Sequence, residues 1–559
     1  MPLSIPRYRP LCARLSRLGG FVREWPRKPT SETSTTAPTW DEEASSISQN
    51  DAGSPLRRPF NSSLAEFGFC FAVCGSQALA EYLLTGAGQI FDSVADDFHS
   101  STTSMAWASC IHSVIVASAT LPFARAADIH GGYPVFIFGM IWILVWTIVA
   151  GICKNTVIFA FCRANHGFAL AAIQPASLAM IGAIYKAGKR RNIVLGIFGA
   201  CAPFGFFAGV ASGTLSANFH HWPWYFWTAA LLSFLVIIAT ILTTPQACRD
   251  PLPCEIGMDW WGSFTIFSGL LLITYSLSTG SDYDHAYFSW QTLVPLGIGF
   301  ILLCISVYIE LKVASSPLLP KRFFSNPSTI PFILACLFFY GAFGIFLFYA
   351  TFYLQTVASI PPLTLLTYFT PLGIVGILIS LIAGLIMHLT PLTHLLLFSG
   401  LAWILTPLLF VFVTRGGGGT TYWALIFPAM VCAALGLDLT FTISTVFLTS
   451  SQPLEFQGVA GAVCSSLVNL AIAFSLSFAH VLFSQLRERG VSEEGSYRAV
   501  FWLATASAGV GFVVCVGWVR IPRAAGQVGM GKVEAEVGEG DEAADGGFES
   551  GEQIKEIGI

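Results

Sequence analysis

Charged side chains are scarce in this sequence, because Asp, Glu, Lys and Arg make up only 11% of its 559 residues. A soluble domain averages about 25% charged residues, and the hydrophobic share here is 54%, so the composition excludes an ordinary soluble protein. Apolar runs of about 20 residues recur, and each can cross a hydrocarbon core of ~30 Å as a helix. The sequence therefore predicts an all-α polytopic protein in a lipid bilayer.

Motifs for nucleotide hydrolysis and metal-dependent catalysis are also missing. The chain has no GxxxxGK[ST] phosphate loop and no HExxH pair, and GVASG at 209–213 does not match the GxSxG nucleophile motif. Its 14 Cys are scattered, mostly within apolar runs, and its His residues lack metal-ligand spacing. These absences favour a protein that is not an enzyme, holds no cofactor or metal and binds no nucleic acid.

Fourteen apolar spans are predicted between residues 67 and 520, flanked by two polar tails. Residues 1–65 are rich in Arg, Pro and Ser, whereas residues 521–559 are rich in Gly and acidic residues. Both tails are predicted to be disordered and cytosolic. No apolar segment follows the first basic residues as a secretory signal requires, and an organellar transit peptide is the alternative to a cytosolic tail.

Basic residues set the orientation of the spans. If the N-terminus is cytosolic, most of the 28 Lys and Arg residues fall on the cytosolic side. Arg163 lies within a span, and five residues fall on the outer side: Lys154, Arg415, Arg487, Arg489 and Arg498. This asymmetry predicts a multi-pass protein of the cell membrane with both termini in the cytosol. It also requires an even number of spans.

Three ionisable residues lie well inside predicted spans, namely Glu81, Arg163 and Asp438. Such residues usually face a cavity or a partner. At about 1.5 Å per residue, Glu81 lies roughly 14 Å and Arg163 roughly 9 Å from the outer ends of their helices. These depths allow a Glu81–Arg163 pair, which is either a structural ion pair or a site where Glu81 gains a proton as its surroundings change.

Asp438 lies in a span that contains no basic residue. It is expected either to face water or to be protonated part of the time. Asn469, in the next span, is at a similar depth and is a candidate hydrogen-bond partner for it. A substrate or proton site and a polar contact between helices are both open interpretations.

Small residues mark the fifth predicted span. Gly205, Gly209 and Gly213 are four residues apart, so they share one face of a helix and allow a neighbouring helix to approach closely. Pro203 removes one backbone hydrogen bond and bends the same helix. The combination would suit a helix that rocks against another.

The loop FARAADIHGGYP joins the second and third spans. Arg125 and Asp128 lie at a cytosolic helix end, and Gly131 and Gly132 allow a tight turn. A carboxylate at this position can cap the beginning of a helix and be released on rearrangement. A simple turn is the alternative interpretation.

Together these segments resemble the major facilitator superfamily, and in particular its fungal fourteen-span drug:proton antiporters, the branch that includes aminotriazole-resistance and borate-efflux pumps. The resemblance covers about residues 66–520 and rests on seven motifs in order: RAADIHGG (125–132), CRANHGFALAAIQPASLAMIG (162–182), KRRNIVLGIFGACAPFGFFAG (189–209), HWPWYFW (221–227), MDWWG (258–262), PLLPKRFF (317–324) and GLDLTF (436–441).

The resemblance implies two six-helix bundles, at 66–244 and 328–520, with two linker helices inserted at 245–327. It also implies alternating access around a central cavity, with substrate moving outward as protons move inward. Arg163 would then serve proton coupling. Asp128 and Gly131, beside Arg125, would form a cytosolic gate.

Pro203 and Gly205 would form the antiporter hinge, on the helix face that Gly209 extends. The sequence departs from the family pattern in the gate loop, where Tyr133 and Pro134 replace two basic residues, and His166 replaces the usual Gln of the fourth span. His166 is a candidate group for titration near neutral pH, or it only hydrogen-bonds near Arg163.

The predicted function is export of a small, largely apolar organic compound by a monomeric proton antiporter. The 47 Phe residues favour such a substrate over a sugar or an ion. Two alternatives remain open, a proton-coupled importer of a nutrient or chelate and a transport-inactive sensor of the same fold.

Overall fold

A computed structural model gives the fold of the chain. It describes Phe60, Leu318 and residues 62–99, 102–185, 188–219, 221–249, 257–279, 289–314, 321–324, 326–387, 389–414, 421–450 and 457–521. The predicted tails, 1–65 and 521–559, lie almost entirely outside these residues.

Long helices account for nearly all of the described chain, and no described residue belongs to a β-strand. We number them α1 (Ser63–Thr85), α2 (Thr102–His130), α3 (Gly132–Ile152), α4 (Thr156–Ile184), α5 (Lys189–Asn218), α6 (Pro223–Thr243), α7 (Trp260–Thr279), α8 (Trp290–Tyr308), α9 (Thr329–Phe352), α10 (Pro362–Ile386), α11 (Leu392–Val411), α12 (Phe427–Ser450), α13 (Gln457–Glu488) and α14 (Glu493–Trp518). A shorter helix, Ala87–Asp97, continues α1 after Gly86.

Polar side chains fix the beginnings of several helices. Ser62 accepts a hydrogen bond from the amide of Ala65 at 3.1 Å at the start of α1. Asn155 accepts one from Val157 at 2.7 Å at the start of α4. These N-caps satisfy amides that have no partner within the helix, so the local sequence defines where the helices begin.

Twelve helices within the described residues are long and apolar enough to cross a membrane. They correspond to all of the numbered helices except α2 and α7. The prediction of an all-α membrane protein is therefore confirmed, whereas the count of fourteen spans is not.

The helices pack as two groups, which we call the first half (α1–α6) and the second half (α9–α14). Helix α7 packs on α2 and α13, and α8 packs on α7. We call the face where α1 begins the near face and the opposite face the far face. Ser328 and Arg520 are hydrogen-bonded, and so are Thr393 and Ile521, so α9 and α11 begin where α14 ends.

The two halves meet along a surface that we call the seam, where α5 packs on α10 and α12, and α13 packs on α2 and α4. Glycines allow the closest approach. A Cβ at Gly196 would lie 2.9 Å from the Cα of Gly384, and one at Gly199 would lie 3.1 Å from Thr442 Oγ1. These residues lie toward the near face, so the halves are tightly packed there.

Candidate functional site

Arg163 is fully buried in the first half, where α4 passes α1. Its guanidinium donates a 2.8 Å hydrogen bond to the backbone carbonyl of Leu83. A charged donor makes a stronger hydrogen bond than a neutral one, at about 1.5–3 kcal/mol. The cation is thus held by backbone inside the protein and does not face lipid.

The Leu83 carbonyl is available because α1 is interrupted at Gly86. The hydroxyl of Tyr225 donates to the carbonyl of Tyr82 at 2.6 Å, and the amide of Ala87 is hydrogen-bonded to the same hydroxyl. The rings of Tyr82 and Tyr225 stack with centroids 4.9 Å apart. Arg163 and Tyr225 therefore stabilise carbonyls at a helix break that the sequence did not reveal.

The predicted Glu81–Arg163 pair is wrong. Ion pairs between described side chains join Glu66 to Arg190 and Glu494 to Arg498, and none joins Glu81 to Arg163. The depths were compatible, but residues two apart on a helix, such as Glu81 and Leu83, point about 200° apart. Arg163 approaches the Leu83 side of α1, so Glu81 is turned elsewhere.

Glu81 lies deep among the helices, yet its side chain is partly accessible. No hydrogen bond or ion pair of its carboxylate occurs among the described residues. Its position on α1 is fixed by Ala78 and Tyr82, which pack against Gly205 and Gly209 of α5.

Asp438 lies on α12 at the seam and is only 3% exposed. Its Oδ2 atom is buried and has no hydrogen-bond partner among the described residues. A Cβ added at Gly376 of α10 would collide with this oxygen and would lie 2.7 Å from Cβ of Pro203. The absence of a side chain at Gly376 therefore leaves room for the Asp438 carboxylate.

The structure brings Glu81 and Asp438 together instead of Glu81 and Arg163. The two carboxylates are close enough to interact electrostatically, although Glu81 belongs to the first half and Asp438 to the second. Helix α5 lies between them, with Pro203 against Gly376 and Gly205 against Ala78. The paired acidic groups thus span the seam.

Asn469 and His166 are both engaged away from this carboxylate pair. The amide of Asn469 donates to the carbonyl of Ser465 on its own helix at 2.9 Å, so the predicted bond to Asp438 is not formed. His166 is fully buried; its Nε2 is 3.2 Å from Thr147 Oγ1, and its ring stacks on Phe226.

The glycine face of α5 does receive a neighbouring helix, and that helix is α1. Cβ atoms at Gly205, Gly209 and Gly213 would collide with backbone atoms of Ala78, Tyr82 and Gly86, respectively. Helices α1 and α5 belong to the same half, so this face serves packing within that half. Pro203, by contrast, lies at the seam, and its hinge role stays a prediction.

The junction between α2 and α3 is buried near the seam. Arg125 is 1% exposed and Asp128 is 9% exposed. Gly131 has a φ of 88°, a left-handed backbone that favours glycine. Leu121 and Ala124 of α2 belong to one apolar cluster with Val459 and Ala462 of α13. The predicted gate residues therefore lie beside a contact between the halves.

Sequence reasoning missed the glycines that bring the halves together. Gly196 and Gly384 lie on different helices, and no spacing within either helix links them. Tyr225 was also missed, although the HWPWYFW motif contains it. Small residues at the near-face end of α5 were the available signal for Gly196, but their partner helix could not be read from the sequence.

Comparison with known proteins gives matches over most of the chain. Efflux pump terJ of Aspergillus terreus is 28% identical over 85% of this chain and 91% of its own length. The low affinity ammonium transporter of Saccharomyces cerevisiae is 28% identical over 81% and 88% of the two chains. The aminotriazole resistance protein of the same yeast is 28% identical over 80% and 83%.

The crystal structure of the human organic anion transporter MFSD10 has a similar fold, with a TM-score of 0.54 at 13% identity over 83% of this chain and 100% of that one. The family model described as Major Facilitator Superfamily matches residues 71–476. The predicted resemblance to the fungal efflux branch is confirmed, and the protein is a multi-pass membrane transporter and not an enzyme. The chain therefore belongs to the Major Facilitator Superfamily.

Proposed function

We propose that the chain exports a small, largely apolar organic compound by proton antiport with alternating access. It would work as a monomer in the cell membrane, with both termini in the cytosol and the near face toward the cytosol. The two bundles (66–244 and 328–520) would move against each other, with the linker helices (245–327) between them. Similarity to fungal efflux pumps supports this direction of transport.

The observation that carries the proposal is the carboxylate pair of Glu81 and Asp438. Neither carboxylate is neutralised by a described basic side chain, so a proton is an available means of relieving their repulsion. The two groups belong to different halves, so movement of the halves would change their separation. Proton binding and rearrangement would then be coupled.

Arg163 would contribute to coupling by positioning α1. Its hydrogen bond to Leu83 lies two residues from Glu81 on the same helix. A change in that bond would move the helix that carries the carboxylate. This indirect role agrees with the part that family resemblance gives to the fourth-span arginine, without contact between Arg163 and Glu81.

The near-face gate would consist of Arg125, Asp128 and Gly131 together with the glycine contact between Gly196 and Gly384. Both groups lie close to contacts between the halves. Opening toward the near face would separate these contacts, and closing would restore them. The bend at Pro203 would let α5 follow α10 during this movement.

Uptake of a small cation or nutrient is the second candidate function. The relative named as a low affinity ammonium transporter favours it, since that protein matches the chain about as well as the efflux pumps do. A transport-inactive sensor has no comparable support.

Reconstituted protein tests the proposal directly. Proteoliposomes with an imposed pH gradient should accumulate a lipophilic dye on the acidic side, and Glu81→Gln should remove the effect of the gradient. Pyranine trapped in the vesicles should report proton movement in the opposite direction. Dye accumulation that does not depend on the pH gradient would rule out antiport. Movement of dye and protons in the same direction would support the importer.

A further inference from the structure

We propose that Cys74 of α1 and Cys201 of α5 form a redox modification site, at which a peroxide converts the two thiols into a reversible disulfide. The disulfide would fasten the near-face part of α5 to α1. Its effect on transport rests on the function proposed above, in which α5 bends at Pro203. Formation of the disulfide itself does not depend on that function.

The packing of α1 on α5 sets the register that carries the inference. A Cβ on Gly205 would lie 2.7 Å from the Cα of Ala78. Four residues farther along both helices, a Cβ on Gly209 would lie 2.9 Å from the Cα of Tyr82. Each step of four residues is about one helical turn. One such step in the other direction, toward the near face, places the two cysteines opposite each other.

An ion pair brackets the cysteines on the near-face side. Arg190, at the beginning of α5, donates to both carboxylate oxygens of Glu66, at the beginning of α1, at 2.6 Å. Cys74 and Cys201 each lie between this ion pair and the glycine contact, so the two helices are held together on both sides of them. Both cysteines are free, and their thiols are within hydrogen-bonding reach of each other.

Cys70 is a second thiol beside Cys74, one turn earlier on α1, but helix geometry disfavours a bond between them. Side chains four residues apart on a helix have Cβ atoms about 5–6 Å apart, whereas a disulfide needs about 3.5–4.5 Å. The Cys70 thiol also lies 3.5 Å from the hydroxyl of Tyr185. The partner that remains for Cys74 is therefore the cysteine on α5.

The reaction balances with hydrogen peroxide as the oxidant. Cys201 is partly exposed and Cys74 is buried, so the Cys201 sulfur attacks the peroxide first; the O–O bond breaks, and a sulfenic acid and one water form. The Cys74 sulfur then attacks the Cys201 sulfur, the S–O bond breaks, and the hydroxyl group leaves with the Cys74 proton as a second water. The two thiols are oxidised to one disulfide, and the peroxide is reduced to two waters.

Pro203 lies between Cys201 and Gly205 on α5, which gives the disulfide a mechanical consequence. Beyond Pro203, the glycine contact holds the far-face part of α5 on α1. Before it, Gly196 packs on Gly384 of α10, so bending at Pro203 would let the near-face part follow α10. A disulfide would tie this part to α1 and prevent the bend.

Peptide mapping of the purified full-length chain tests the site without any variant. After treatment with hydrogen peroxide and alkylation in SDS, a peptide that contains Cys74 should be joined to one that contains Cys201, and dithiothreitol should separate them. Cys201→Ser should abolish this crosslink, whereas Cys304→Ser, at an exposed thiol on α8, should leave it unchanged. Absence of the crosslink, or a bond from Cys74 to Cys70 in its place, would overturn the proposal.

Transport in proteoliposomes tests the consequence and separates it from the proposed function. The oxidised chain should lose most of the dye transport that a pH gradient drives and recover it with dithiothreitol, whereas oxidised Cys201→Ser should keep its transport. Equal transport by the crosslinked and reduced chains would refute the fastening of α5. A reduced chain that shows no effect of the pH gradient, but still forms the crosslink, would reject antiport and leave the disulfide site standing.

Discussion

Replacing Gly209 by alanine should separate α1 from α5, because glycine is what allows these two helices to touch. A Cβ at this position would lie 2.6 Å from the carbonyl oxygen of Tyr82 and 2.9 Å from Thr85 Oγ1. The Tyr82 carbonyl cannot yield easily, since it also accepts a hydrogen bond from Tyr225 at 2.6 Å. The strain therefore falls on backbone and not on a flexible side-chain end.

The magnitude follows from the displacement that the new methyl group requires. Ordinary contact begins near 3.4 Å, so the two helices must part by about 0.8 Å. Overpacking of this kind reduces stability by about 1–3 kcal/mol. Alanine also stabilises a helix relative to glycine by up to about 1 kcal/mol. This gain offsets part of the loss of stability, so the control must be another Gly→Ala substitution within a helix.

Gly509→Ala on α14 provides that control, because a Cβ there meets no atom within 4 Å. We expect the free energy of unfolding, measured by SDS titration in mixed micelles, to be about 1–3 kcal/mol lower for Gly209→Ala than for Gly509→Ala. Equal stability of the two variants would refute the close α1–α5 contact.

Three further predictions follow from individual contacts. Arg163→Met should lower the free energy of unfolding by about 1.5–3 kcal/mol, because the Leu83 carbonyl loses a charged hydrogen-bond donor. Arg163→Lys should lose less stability, and an equal loss in both variants would contradict the role of the charge. Gly376→Ala should reduce proteoliposome transport at least tenfold, because the new methyl group would crowd the Asp438 carboxylate. Normal transport by this variant would contradict a role of Asp438 in transport. Burial raises the pKa of the Cys248 thiol, between α6 and α7, to about 12, so maleimide labelling at pH 8 should require unfolding by SDS.

Local patterns in the sequence predicted the features that depend on one helix alone. The four-residue spacing of Gly205, Gly209 and Gly213 predicted a smooth helix face, and the structure confirms a close contact there. The same pattern did not identify α1 as the neighbour. A spacing defines a face, whereas the choice of partner depends on how all of the helices pack.

Depth along a helix could be predicted, but rotation about its axis could not. Glu81 and Arg163 have compatible depths, yet Arg163 approaches Leu83 on another side of α1. The break at Gly86 decides this, because the Ala87 amide is hydrogen-bonded to Tyr225 and leaves the Leu83 carbonyl to Arg163. Gly86 followed by Ala87 gives no strong signal of a break, so the partner of Arg163 could not be foreseen.

The arrangement of the seam bears on the proposed role of the carboxylate pair in transport. Helix α5 contacts α1 through Gly205 and Gly209, and it contacts α10 through Pro203 and Gly196. The contact with α1 lies within one half, so α1 and α5 would move together. The contact with α10 lies between halves, so Glu81 would move relative to Asp438 whenever the seam opens. A proton shared by the two carboxylates would therefore favour the closed seam, and its release would favour opening.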